Sequence, residues 1–247
     1  TVNGNLTVSS GGDITQAGAL TVTGTSSFTS TGANTDIILS TVTNAVTGAV
    51  TLNTTGGASG DVTIDNGTTA LAIQGTVNGS LTVVNGAAIT DSALLTVAGT
   101  SNFTIDSGNN NIDLGTGQLS GGITVNTTAT SNFSLNNSSQ AVDLAGGTIN
   151  GALSVTTGAG ILQTGALTVT GLSSFTSTGT NTDINLSNAG NNFGLAVTLN
   201  TTGTTGDVMI DNDINALAIE GTINGALTVI NGGAITDSNT LTVSGAS

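Results

Sequence analysis

Short alternating apolar runs, an internal repeat on three nested scales and a side-chain inventory without one cation together predict an all-β chain wound as a parallel β-solenoid. The 247 residues contain no Lys, Arg, His, Cys, Pro, Trp or Tyr, and their acids set the net charge at −14. Hydrophobic residues still make up 36% of the chain, enough for a thin continuous core.

Repetition is the strongest of these signals. Residues 17–24, AGALTVTG, return as TGALTVTG at 164–171, and SSFTSTG at 26–32 returns unchanged at 173–179. Both pairs stand 147 residues apart. Half that length is also a period. The phrase T-V/I-N-G begins at Thr1, Thr76, Thr148 and Thr222, and Phe28, Phe103 and Phe175 hold one place in successive units. The units are drawn at 1–75, 76–147, 148–221 and a partial 222–247, a single continuous segment that reads as part of a longer array.

The finest period gives the strands. Apolar pairs at Leu6/Val8, Leu20/Val22, Ile37/Leu39, Val50/Leu52, Val62/Ile64 and Leu71/Ile73 recur about every nine residues, separated by Gly, Asn, Asp, Ser and Thr, the turn-forming set. Two strands per coil predicts coils of about 18–19 residues, about four to each unit and about eight to each duplication. About thirteen such coils at the ~4.8 Å strand spacing make a rod of roughly 60 Å.

The two copies also reveal which way side chains face. Ile38 becomes Asn185 between positions that stay apolar, Thr63 becomes Met209, and Leu94 becomes Thr240. One tolerant face in a period of two means each strand is buried on one side only. Tandem immunoglobulin-like sandwiches are the competing architecture, but they call for linkers, Pro in turns and a Trp or Tyr in the core, and the chain has none of these residues.

The phrases GALTVTG-x-SSFTSTG, NNFGLAVTLNTTG and GDVTIDN resemble the repeats of large bacterial surface exoproteins, the filamentous-haemagglutinin-like and β-strand-repeat adhesins. The resemblance spans the whole chain and lies in style and spacing. It implies a right-handed parallel β-helix, export by a two-partner or autotransporter route, an extracellular or cell-surface location, and adhesion or matrix building. It carries no site residues, and the chain departs from those adhesins in lacking Lys and Arg.

Composition narrows the chemistry. Nucleic-acid binding rests on Lys and Arg at phosphates, so no nucleic-acid partner is expected. No apolar run approaches a membrane span, so direct membrane insertion is not expected. Without His, Lys or Cys there is no base for a nucleophilic triad, no P-loop lysine and no zinc ligand set. A polysaccharide-cleaving β-helix with paired carboxylates is the enzymatic alternative, but no Trp or Tyr is present to stack sugars, and the chain is read as non-catalytic.

Calcium is the only cofactor the acids suggest. Asp61 and Asp65 in GDVTIDN match Asp207 and Asp211 in GDVMIDN, with Asp213 nearby. Residues i and i+4 of one strand stand roughly 13 Å apart, too far for one ion, so a site needs carboxylates from neighbouring coils. Solvated turn carboxylates are the plainer reading. Thr21/Thr23 and Thr168/Thr170 resemble the threonine arrays of ice-binding solenoids, but neighbouring strands do not repeat the pair, and β-propensity explains them better. Sequons at Asn5, Asn53, Asn78, Asn102, Asn126 and Asn200 offer sites for glycans. The expected function is a structural or adhesive fibre, stalk or matrix filament. Its expected partners are like repeats, surface glycans or other cells, with a receptor-free self-assembling filament as the alternative.

Overall fold

A computed structural model describes residues 1–246. The chain is a β-solenoid: every strand pairing among the described residues is parallel, and no helix is formed. Two sheets of 13 strands run the length of the molecule and a two-stranded side sheet joins Thr21–Val22 to Ala45–Val46. The first sheet starts with Leu6–Ser10, Ser26–Ser30 and Val50–Thr54, and the second with Ile14–Thr15, Ile37–Leu39 and Val62–Asp65. The chain visits the sheets alternately, one strand of each per coil.

Burial follows the alternation read from sequence. Val50, Leu52 and Thr54 of one strand point inward between half-buried Thr51 and Asn53. The tolerant positions face outward: Ile38, Leu94 and Met209 are all exposed. Inward Val, Ile, Leu and Phe from both sheets fill one core along the axis. Phe175 of the first sheet meets Phe193 of the second edge-on, ring centroids 5.9 Å apart, a favoured aromatic geometry. Where a Phe points in, its inward neighbours are often small, as in Ser26-Phe28-Ser30 and Ser173-Phe175-Ser177.

The coil length differs from expectation. Register partners along the first sheet run Leu6, Ser26, Val50, Ile73 and Asp91, so successive coils take 20, 24, 23 and 18 residues. From Leu6 to its copy Leu153 there are seven steps, which makes 147 residues seven coils of 21 on average, not eight of 18. Twelve strands along the first sheet's path give eleven steps, a stack of roughly 53 Å. The surplus strand in the sequence count is Leu20/Val22, which forms the side sheet instead of a strand of the main path.

Seven coils per duplication has a geometric consequence. One unit of about 74 residues spans three and a half coils, so equivalent residues of successive units fall on opposite sheets. Phe28 lies in the first sheet, Phe103 in the second and Phe175 in the first again. Each unit is turned half way round the rod from the one before it.

Buried asparagines close the ladder at matching places. The Asn66 amide accepts from Val46 N–H at 2.8 Å and donates to Val46 C=O at 2.9 Å. Asn137 does the same to Leu119 at 2.7 and 2.9 Å, and Asn212 to Phe193 at 2.6 and 3.4 Å. Each side chain substitutes for a strand where the next coil's backbone has turned away, satisfying groups that would be costly to bury unpaired.

Candidate interaction surface

Each second-sheet strand begins at a corner, and several corners carry Asp just before the first inward residue: Asp13-Ile14, Asp36-Ile37, Asp61-Val62, Asp183-Ile184 and Asp207-Val208. The carboxylates join successive coils. Asp13 Oδ1 accepts from Asp36 N–H at 3.0 Å, Asp36 Oδ1 from Asp61 N–H at 2.9 Å, and Asp61 Oδ1 from Ser80 N–H at 2.7 Å. Asp183 and Asp207 repeat this toward Asp207 and Ala226 at 2.9 and 2.7 Å. Among the described residues only Oδ1 is used, which leaves a free oxygen on each group. Like charges one coil apart repel by about 1 kcal/mol in water, and the chain has no side-chain cation to answer them.

The expected calcium ligands divide between two corners. Asp61 and Asp207 belong to this exposed leading edge. Asp65 and Asp211 lie at the far ends of the same strands and are buried, Oδ1 accepting from Gly67 and Asp213 N–H, both at 2.7 Å. Asp213 is exposed in the turn that follows, with φ at 54°. Asp61 therefore stacks on Asp36 and Asp13 and not on Asp65. Among the described residues no group of three or more acids is arranged to hold a metal ion. Sequence reasoning missed Asp13, Asp36 and Asp183; an Asp directly before a β-branched inward residue was the signal that marks all five.

Burial pushes the Asp65 carboxyl up. The Gly67 N–H opposes that shift and the nearby Asp106 charge adds to it.

The half-turn supplies an internal comparison. On the first sheet the equivalents of Asp36, Asp61 and Asp65 are Asn111, Asn132 and Asn136. They make the same bonds: Asn111 Oδ1 accepts from Asn132 N–H at 2.9 Å, Asn132 from Ala152 N–H at 2.7 Å, and Asn136 from Ser138 N–H at 3.1 Å. Asp143 of the second sheet has Ala72 and Ala218 as its first-sheet counterparts. The acids on the first sheet are Asp91, Asp113, Glu220 and Asp237. Of these, Asp91 and Glu220 have both oxygens engaged by donors of the chain.

The outward faces differ as well. The first sheet presents columns such as Ser9, Thr29, Asn53 and Thr76, and Ser134, Ser154, Ser174 and Thr198. The second exposes Ile38, Leu162 and Met209 at 39%, 47% and 36%, whereas the first exposes Leu94, at 49%, where the register of its strand Ile89–Val97 shifts. A shallow groove of about 250 Å³ runs beside Asp183 and Asp207, with Asn185, Met209 and Thr228 along it. Most sequon asparagines serve the ladder: Asn53, Asn126 and Asn200 accept from Thr76, Thr148 and Thr222 N–H at 3.0, 3.3 and 3.1 Å, while Asn102 is exposed.

A family model described as repeats of unknown function (DUF5649) matches the chain over residues 1–53, 59–126, 130–200 and 205–247. Its first three matches end at Asn53, Asn126 and Asn200, which are equivalent in successive half-turn units. No curated protein and no solved structure matches the chain.

Proposed function

The chain belongs to this family of repeats of unknown function, and on that premise we propose that it is a non-catalytic structural and adhesive rod, part of an extracellular surface fibre, stalk or matrix filament. The observation that carries the reading is the continuous parallel pairing of two sheets along the axis, eleven coil steps in the first and ten in the second. A ladder of that kind resists bending and leaves few edges open to proteolysis. The resemblance to filamentous-haemagglutinin-like and β-strand-repeat exoproteins supports export to the cell surface. Many weak, repeated contacts along such a rod would add up to firm attachment to glycans or cells.

The test is imaging and surface binding with the purified chain. Rods of roughly 53 Å that bind glycan-coated or cell surfaces saturably are expected. Compact beads, or release of sugars from a polysaccharide panel, would sink the reading. A receptor-free filament is the second reading. It is favoured by the outward face of the first sheet, where Ser, Thr and Asn predominate and two acidic rods can approach with least repulsion. Polymerisation of the chain alone, without surface binding, would select it.

A further inference from the structure

The half-turn repeat lets the molecule act as its own control. Asn111 and Asn132 perform the inter-coil bonding of Asp36, Asp61, Asp183 and Asp207 without charge, so the fold does not require carboxylates at the second sheet's leading corner. Thr63 and Ser134 occupy the place of Met209 in the other units, so the fold does not require an exposed thioether there either. Asp183, Asp207 and Met209 line one groove on the same face.

We propose that the outward face of the second sheet between Leu162 and Thr228 docks an extended, lysine-rich protein segment, with Lys stems lying along Leu162 and Met209 and their ammonium groups at Asp183 and Asp207. Charge complementarity selects the occupant. The face is acidic, each corner carboxylate keeps a free oxygen, and the chain has no cation of its own to fill the position. The apolar floor distinguishes lysine from a bare divalent ion. Ca²⁺ takes six to eight oxygens at once, which a pair of carboxylates beside Met209 does not provide, whereas Lys packs its methylene stem on apolar surface and keeps its charge at the rim. The spacing also fits. Asp183 and Asp207 are on adjacent coils, ~4.8 Å apart along the axis, and alternate residues of an extended strand are ~6.8 Å apart, within reach of flexible Lys side chains. This docking rests on the rod reading for its context, not for its chemistry.

The experiment is fluorescence anisotropy at low salt with two labelled decapeptides, (Lys-Leu)5 and (Lys-Gly)5. Wild-type chain is expected to bind both alike, because the residues between the Lys point away from the face. The double variant Asp183→Asn/Asp207→Asn should weaken both peptides by about 10-fold, the size of two exposed ion pairs lost together. Met209→Thr should weaken both peptides about 3-fold, because the Lys stems they share carry the apolar contact. Asp113→Asn/Asp237→Asn removes the same charge from the first sheet and should change either affinity less than about 2-fold. Thermal melting checks that the variants fold, as Asn111 and Asn132 lead one to expect. Equal losses from the two double variants would overturn the proposal in favour of net charge alone. Calcium displacing the peptide with no effect of Met209→Thr would overturn it in favour of a simple cation site. Absence of binding by wild-type chain that images as a rod would overturn the docking and leave the rod reading standing.

Discussion

Asparagine and aspartate have separate jobs in this molecule although they make nearly the same bonds. Asp65 shows the difference, because its first-sheet equivalent Asn136 forms the same turn bond without charge. Burial raises the Asp65 pKa above its unfolded value, so the folded state favours the protonated form. Its favourable contribution is complete below the ordinary carboxyl value of about 4 and is lost as pH rises through the higher folded pKa. Asp65→Asn should therefore raise the melting midpoint at neutral pH, and the gain should vanish in titrations below about pH 4. An equal gain at every pH would contradict the assignment. Asn137 acts by geometry instead of charge. Asn137→Ala strips Leu119 of both backbone partners, and a loss of about 2–4 kcal/mol is expected in denaturant melts. Ser26, Ser101 and Ser173 are buried beside Phe with hydroxyls that have no partner; Ser173→Ala should leave stability unchanged or raise it slightly.

Strands, corners and bulges obey stricter rules at some points than at others. Gly221 sits mid-strand at a φ of 124°, and a Cβ there would run into the Leu199 carbonyl oxygen of the preceding coil. Gly75 occupies the same place in the earlier copy, at 121° against Leu52. Gly221→Ala should cost at least the ~1–3 kcal/mol of a strained backbone position, seen as a lowered unfolding midpoint by circular dichroism. This is also the scale at which the sequence was most and least informative. Inward and outward positions were legible, because Ile38/Asn185 and Thr63/Met209 vary between copies while their neighbours do not. Coil length was not. Corners stretch from one coil to the next, so register steps run from 18 to 25 residues, and Leu20/Val22 carries the same apolar signature as a main-sheet strand. The acidic corner was half legible: Asp61 and Asp207 stood out in a repeated phrase, but their stacking partners Asp36 and Asp183 lie 25 and 24 residues upstream, and only the true coil length brings them together.

Across the whole molecule, seven coils in two units is the fact from which the rest follows. It turns each unit half way round, places equivalent residues on opposite sheets, and so makes visible that corner carboxylates of the second sheet stand where the first carries asparagine. A simple stack with a whole number of coils per unit would put every copy on one side. Thr29 and Thr176 are equivalent, outward and both on the first sheet, seven coils apart. Because the chain has no cysteine, Thr29→Cys/Thr176→Cys takes two spin labels at defined places, and their parallel offsets cancel in the measured distance. Pulsed electron–electron resonance should give one narrow distribution centred near ~34 Å, seven steps of ~4.8 Å. A broad distribution, or a narrow one near the ~38 Å of eight coils, would contradict the half-turn rod.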